Sequence, residues 1–353
     1  MLSVDNIHYS VKAPGVGARE IIKGLSIIVP TNEWISLVGP NGCGKSTLLH
    51  LMAGLLKPAA GTVNWNGEPP GKKIWDRSEI GLLFQDLGLL DHLTVMKNLE
   101  IAIQSKIDKS QKISAIWEVA EKLGIEKLVR QKVYKLSGGE KQRIAIARLM
   151  LQKPALILLD EPLNSLDGAA REKVLECLLE WKSTVESTAI QVTHQMDEAC
   201  MLGDKIGVMK NGVIPNLESP MDLYFKPPTE ELARAFNLPP INLLPSELIR
   251  HFAGMAVFEI KCNTVGFRPS CVFLSKSIHN SGNTTNDTDF IKVPCRYINK
   301  ETYWGKSAYL LKIEGYDNVV RVEESWDLKK QRNFTSNDSV EIVIPLDSLI
   351  TFN

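Results

Sequence analysis

Apolar residues recur along the chain in two rhythms. Trp34-Ile-Ser-Leu-Val38 and Leu156-Ile-Leu-Leu159 are short, nearly continuous apolar runs. Runs of that length, ended by Gly-Pro or by acidic residues, predict strands buried on both faces. Thr188–Val192 reads as a further strand, Leu25–Val29 as a β-branched one, and Leu2–Ile7 is mixed. After Lys45 the period changes, and Leu48, Leu49, Met52 and Leu55 fall at helical spacing. Residues 94–104, 111–123, 143–151 and 171–181 share that spacing. Strands alternating with helices predict a parallel sheet covered on both faces.

Near residue 215 the texture shifts. Pro215, Pro220, Pro227, Pro228, Pro239, Pro240 and Pro245 punctuate a stretch with two short helical pieces, near 219–225 and 229–236, which reads as an arm between domains. Beyond about 250 the chain becomes short β runs at 257–260, 293–298, 309–313, 319–322 and 340–344, separated by turn clusters. That pattern suits a small sandwich or barrel. Ser281–Asp289 is polar throughout and predicts a mobile loop. The expected division is 1–236, with a helical part at about 86–152, and 237–353 for the arm and the β domain.

Composition narrows the classes. A length of 353 residues allows two or three domains. Lys plus Arg and Asp plus Glu both number 41, so no global basic field is available to wrap nucleic acid. No apolar run approaches the ~18 residues of a membrane-spanning helix. Asp5, Lys12 and Glu20 interrupt the region where an export signal would need apolar residues, so the expectation is a chain that is not exported. Six cysteines, with no C-x-x-C pair or zinc-like spacing, read as reduced thiols.

Two motifs carry chemistry. Gly39, Pro40, Asn41, Gly42, Cys43, Gly44, Lys45, Ser46 and Thr47 fit G-x-x-x-x-G-K-[ST], after a buried strand and before a helix. Glycines let backbone N–H groups converge on a phosphate, and the helix adds its unpaired N–H groups and the positive end of its dipole. Lys45 should reach the terminal phosphates of a nucleotide such as ATP, and Ser46 should hold Mg²⁺. Leu156–Pro162 puts Asp160 and Glu161 at a strand end, where Asp160 suits Mg²⁺ and Glu161 suits an attacking water.

Between the two motifs, Leu136-Ser-Gly-Gly-Glu-Lys-Gln-Arg143 resembles the signature of ATP-binding-cassette (ABC) ATPases. Gln85 in Leu82-Leu-Phe-Gln-Asp86 is similar to the family's Q-loop glutamine, Ser165-Leu-Asp167 to its D-loop, and His194 in Val192-Thr-His194 to its switch histidine. The resemblance spans residues 1–235. It implies an α/β P-loop NTPase fold and two copies packed head to tail with ATP between them. Ser137, Gly138 and Gly139 of one copy would then meet the terminal phosphate held by Lys45 of the other. It further implies that His194 contacts that phosphate and that Gln85 links Mg²⁺ or the attacking water to a transporter. Some positions depart from the family's pattern. Val11 stands where the family stacks adenine on an aromatic, with Tyr9 two residues earlier; Glu140 replaces the more frequent Gln, and Asn164-Ser165 the usual Ser-Ala. None removes a catalytic group, so an active ATP hydrolase is expected.

Residues from about 242 resemble the transport-associated OB-type domain that follows import ATPases, through Val265-Gly-Phe-Arg-Pro269 and the closing run Val340–Ile344. The resemblance implies a subunit that energises a multi-subunit ABC importer at the cytoplasmic side of the inner (plasma) membrane, peripheral through permease subunits. Those integral membrane subunits would dock near residues 86–104, where Leu87, Leu89, Leu90, Leu93 and Val95 offer apolar surface. An external solute-binding protein is a further expected partner. Nucleic acid is not, because Tyr297, Tyr303, Trp304 and Tyr309 lack concentrated basic neighbours. The alternatives are a soluble ABC-type ATPase or a regulatory, non-transport cassette protein.

Overall fold

The runs at 34–38, 156–159 and 188–192 become neighbouring parallel strands in the centre of one sheet. The computed structural model describes the chain apart from residues 14–16, 70–78, 104–107, 237–238, 254–261, 276–289, 304–305, 326–333 and 353. It divides into two units, Met1–Pro220 and Met221–Asn353. The expected arm helices thus go with the second unit, ahead of the 236/237 division read from sequence.

The first unit runs β1 (Leu2–Ala13), β2 (Gly17–Val29), β3 (Trp34–Val38), α1 (Lys45–Met52), β4 (Ala60–Trp65), β5 (Ile80–Leu83), α2 (Val95–Glu100), α3 (Lys109–Leu123), α4 (Gly138–Gln152), β6 (Leu156–Asp160), α5 (Gly168–Thr184), β7 (Thr188–Thr193), α6 (Met196–Leu202), β8 (Lys205–Val208) and β9 (Leu217–Glu218). One sheet has the order β5-β6-β7-β3-β8-β9 and is parallel except at β8–β9. A second, antiparallel sheet has the order β2-β1-β4.

Every residue of β3, β6 and β7 is buried, and the two-residue period sends alternate side chains to opposite faces. Trp34, Ile157, Leu159 and Ala189 join the cluster containing Ile116 of α3, Ile144 of α4 and Leu178 of α5. Ile35, Leu37, Leu156, Leu158, Ile190 and Val192 join Leu48 and Leu49 of α1 and the antiparallel sheet. At about 1.5–3 kcal/mol for each large aliphatic side chain removed from water, these strands are the main stabilising element of the unit. Polar side chains within these strands meet across them, as where Gln191 Nε2 donates to Ser36 Oγ at 2.8 Å between β7 and β3.

Helix ends follow local chemistry. The Asp108 carboxylate accepts from Ser110 N at the start of α3, and Gly124, at φ 63°, ends it. The helix expected over 94–104 is shorter, α2 stopping at Glu100. The strands β4, β5, β8 and β9 lack a long apolar run. In β5, Gly81 packs so closely that an added Cβ would lie 2.2 Å from Leu149 Cδ1.

The second unit runs α7 (Pro220–Phe225), α8 (Glu230–Ala235), β10 (Asn242–Pro245), α9 (Ser246–Ala253), β11 (Thr264–Phe267), β12 (Phe273–Ser275), β13 (Phe290–Tyr303), β14 (Lys306–Ile313), β15 (Val319–Ser325), β16 (Ser339–Pro345) and β17 (Ile350–Phe352). Leu244 of β10 and Val265 and Phe267 of β11 pack with the five-stranded antiparallel sheet β12-β16-β13-β14-β15 in one apolar cluster, while Phe352 of β17, in the sheet β10-β11-β17, packs with Ala233 and Ile241; this β arrangement is consistent with the expected OB-like domain. The run at 257–260 and the loop at 281–289 lie outside the described residues. Arg268 is 1% exposed. Its Nε donates to Tyr224 O at 2.9 Å and its NH1 to Ala233 O at 3.3 Å, carbonyls in the last turns of α7 and α8. The guanidinium lies 4.1 Å from the Tyr224 ring centroid and 5.2 Å from that of Phe236. Burial pulls its pKa down.

Candidate nucleotide site

The phosphate loop joins β3 to α1. A Cβ on Gly39 would stand 2.3 Å from Met209 O, so only glycine lets the loop pass there. Gly42 and Gly44 hold φ of 78° and 111°, the left-handed side that glycine enters freely. Gly44 precedes α1 without a side-chain cap, and the first turn holds no acidic residue. The N–H groups and dipole of that helix end therefore meet no anionic side chain of their own turn. Lys45 is 6% exposed. Its Nζ donates to Gly39 O at 2.8 Å and Pro40 O at 3.1 Å, which holds the cation inside the curve of the loop.

Asp160 continues the face of Leu156 and Leu158, the face that α1 covers. Ser46 Oγ accordingly donates to Asp160 Oδ1 at 3.0 Å. Burial raises the Asp160 pKa, with Glu161 adding to the shift, while the Ser46 hydrogen bond, His50 and Lys45 oppose it. A hydroxyl and a carboxylate oxygen side by side are hard donors of the kind Mg²⁺ takes when phosphate oxygens and water complete its shell, so the pair fits that ion.

Glu161 has φ 49°, costly for a residue with a Cβ by about 1–2 kcal/mol. Its N–H still bonds Val192 O at 2.9 Å. Its carboxylate has two partners: Asn164 Nδ2 donates to Oε2 at 2.7 Å, and His194 Nδ1 is 3.3 Å from Oε1. The structure thus brings together Glu161 and His194, from the ends of β6 and β7. The link carrying His194 is itself held. Thr193 Oγ1 donates to Glu198 Oε2 at 2.7 Å and accepts from Gln195 N at 3.1 Å.

Ser137 caps α4 with a reciprocal arrangement. Its hydroxyl accepts from Glu140 N at 3.3 Å, while Ser137 N donates to Glu140 Oε2 at 2.8 Å. An added Cβ on Gly138 would meet nothing within 4 Å, so this edge is open. Among the described residues no hydrogen bond joins Ser137, Gly138 or Gly139 to Lys45 or Ser46 of the same chain. Gln85 stands exposed in the turn after β5. That turn is held by Arg148 of α4, which donates to Leu87 O at 2.9 Å and Gly88 O at 2.5 Å. Val11 is exposed, and Tyr9 is half-buried against the core. Asn164 was marked in sequence only as a departure from the D-loop pattern, with no tie to Glu161, and Arg148 and the partners of Thr193 were not singled out, because nothing in their residue types or spacing marks them.

Comparison with known proteins identifies the family and the fold. The ABC transporter family profile matches residues 22–164. The sn-glycerol-3-phosphate import ATP-binding protein UgpC 3 of Rhizobium johnstonii is 34% identical over 263 residues, 74% of this chain and 76% of that protein. The protein UgpC of Bartonella bacilliformis, with the same import description, is 33% identical over 258 residues, 72% of this chain and 75% of its own. Among solved structures, a dimeric post-hydrolysis form of the ATP-binding cassette MJ0796 bound to ADP and Pi aligns with a TM-score of 0.58 at 27% identity. It covers 62% of this chain and 99% of that one. The transporter component cbiO1 of Clostridium perfringens aligns at 0.55 and 28%, over 67% and 94% respectively.

Proposed function

The chain belongs to the ATP-binding proteins of the ABC transporter family, and from that premise we propose how its residues divide the work. It binds and hydrolyses ATP and energises an importer, as its import-type relatives do. The soluble and non-transport alternatives find no support in those relatives.

The observation that carries the residue assignment is the convergence of four groups, Ser46 with Asp160 and Glu161 with His194. They lie beyond the carboxyl ends of β3, β6 and β7, where open α/β sheets take ligands. Lys45 and the first-turn N–H groups of α1 hold the terminal phosphates. Ser46 and Asp160 would hold Mg²⁺, with Gln85 contributing from its turn, and the bound ion would supply neutralisation of phosphate charge. Glu161 orients the attacking water and accepts its proton, with Asn164 fixing the carboxylate. His194 steadies that carboxylate and faces the terminal phosphate.

Cassettes of this family work as dimers, and the relatives' import role pairs this chain with membrane permease subunits. The finer reading is that the open edge Ser137–Gly139 of one copy covers the phosphate held by Lys45 of the other. Permease subunits dock on residues 86–104, placing the chain at the cytoplasmic side of the membrane, and an external solute-binding protein supplies the cargo. No helix among the described residues is long and apolar enough to cross a membrane.

The test is ATP turnover by the purified chain with Mg²⁺, together with size-exclusion chromatography of Glu161→Gln in ATP. Turnover lost in Lys45→Ala and a nucleotide-dependent Glu161→Gln dimer are the expected results. A monomeric Glu161→Gln with ATP bound would sink the composite site.

A further inference from the structure

Arg171 lies in the first turn of α5, directly after the segment Ser165–Asp167. Asp167 caps that helix, accepting from Ala170 N at 3.0 Å through its side chain and from Arg171 N at 2.8 Å through its carbonyl. The Arg171 side chain crosses to α6. Its NH2 pairs with Glu198 Oε1 at 2.8 Å and hydrogen-bonds Gln195 Oε1. The Glu198 side chain is 4% exposed, and its other oxygen takes the Thr193 hydroxyl. The residues on both sides of His194 are therefore held by one ion pair, buried on its carboxylate side, Thr193 through Glu198 and Gln195 through Arg171. At the other end of the same segment, Ser165 O would stand 3.1 Å from a Cβ added to Gly139, so it lies against the second signature glycine.

We infer that Arg171 is a positioning residue that ties the Ser165–Asp167 segment to the link carrying His194, so that the edge this chain lends to a partner and the histidine it uses itself are set together. Among the described residues Arg171 is the one cation paired with Glu198, and a buried carboxylate that loses such a partner is left uncompensated, so the clamp holds firmly or rearranges as a unit. One guanidinium nitrogen thus meets the Glu198 carboxylate as an ion pair and the Gln195 amide oxygen as a hydrogen bond, so a single side chain fixes both residues. Coupling of this kind is established by measured interaction, not by adjacency. The inference rests on the composite-site reading above.

The experiment uses the full chain. Arg171→Met is expected to lower kcat about tenfold, with KM for ATP changed less than about twofold. Arg171→Lys, which keeps the charge opposite Glu198, is expected to recover most of that loss. In protein labelled at histidine, the ring resonances of His194 should move in Arg171→Met while those of His8, on β1, stay in place. If Arg171→Met does not fold, Arg171→Met with Glu198→Gln leaves no buried charge behind and carries the same readouts. Unmoved His194 resonances, or equal slowing in the Met and Lys variants, overturn the role of Arg171 while ATP-dependent dimerisation of Glu161→Gln leaves the site reading standing. Loss of that dimer overturns both.

Discussion

Ser46 and Asp160 are separated by 114 positions along the chain, yet the Ser46 hydroxyl donates to the Asp160 carboxylate at 3.0 Å. That bond offsets part of the cost of burying the carboxylate, whose pKa nonetheless stays raised. A raised pKa in the folded state means that this group favours the fold fully below its unfolded value, near 3.9, and that the contribution is lost as pH rises through the raised value. At neutral pH, ionised Asp160 therefore destabilises the nucleotide-free chain. Asp160→Asn should raise the melting temperature of the nucleotide-free protein at pH 7, lose that advantage below about pH 4, and abolish Mg²⁺-dependent ATP turnover. Melting curves at the two pH values check the sign, and a lower melting temperature at pH 7 contradicts it.

Glu161→Gln should reduce kcat by a factor of about 10² or more, because an amide cannot take the water's proton. Binding of ATP should survive. Single-turnover hydrolysis and nucleotide binding, measured side by side, separate the two.

Asn164 acts through Glu161, 2.7 Å away. Hydrogen bonds to charged groups are worth about 1.5–3 kcal/mol. Asn164→Ala should therefore slow kcat by roughly tenfold to a hundredfold at most, and combining it with Glu161→Gln should add little further. Additive losses in a double-mutant cycle would show that Asn164 acts elsewhere.

Arg268 should not accept Lys. An ammonium cannot stack on the Tyr224 ring while reaching both Tyr224 O and Ala233 O. Arg268→Lys and Arg268→Met should each cost the second unit about 1–3 kcal/mol, read from its unfolding transition in denaturant. An unchanged midpoint in either variant counts against the packing described.

Asn98 is 1% exposed and makes three hydrogen bonds, accepting from Leu90 N at 2.8 Å and donating to Leu90 O and Thr94 O at 3.1 Å each. Asn98→Leu keeps the side chain's branching and heavy-atom count, adds some bulk, and strands those backbone groups, at about 1–3 kcal/mol apiece where they stay dry. A global loss of at least about 2 kcal/mol in chemical denaturation is expected; a loss under ~0.5 kcal/mol would mean that water replaces the amide.

The sequence by itself determined whatever is built from consecutive residues. The phosphate loop is legible because its glycines, Lys45 and Ser46 sit between one buried strand and one helix. Ser137 with Glu140 is likewise a local reciprocal cap, and the short, mostly apolar runs of β3 and β6, with helical patterns between them, announce a covered parallel sheet. Tertiary structure alone decided which of these pieces meet. The order β6-β7-β3 sets Asp160 against Ser46 and Glu161 against His194, and no single-chain pattern encodes that order. Glu161's positive φ, Arg171 at Glu198 and Gln195, and Arg268 between two helix ends depend on contacts between distant segments. The physical reason is range: backbone preferences act over a few residues, whereas the partner of a buried polar group is whatever the packed neighbour presents.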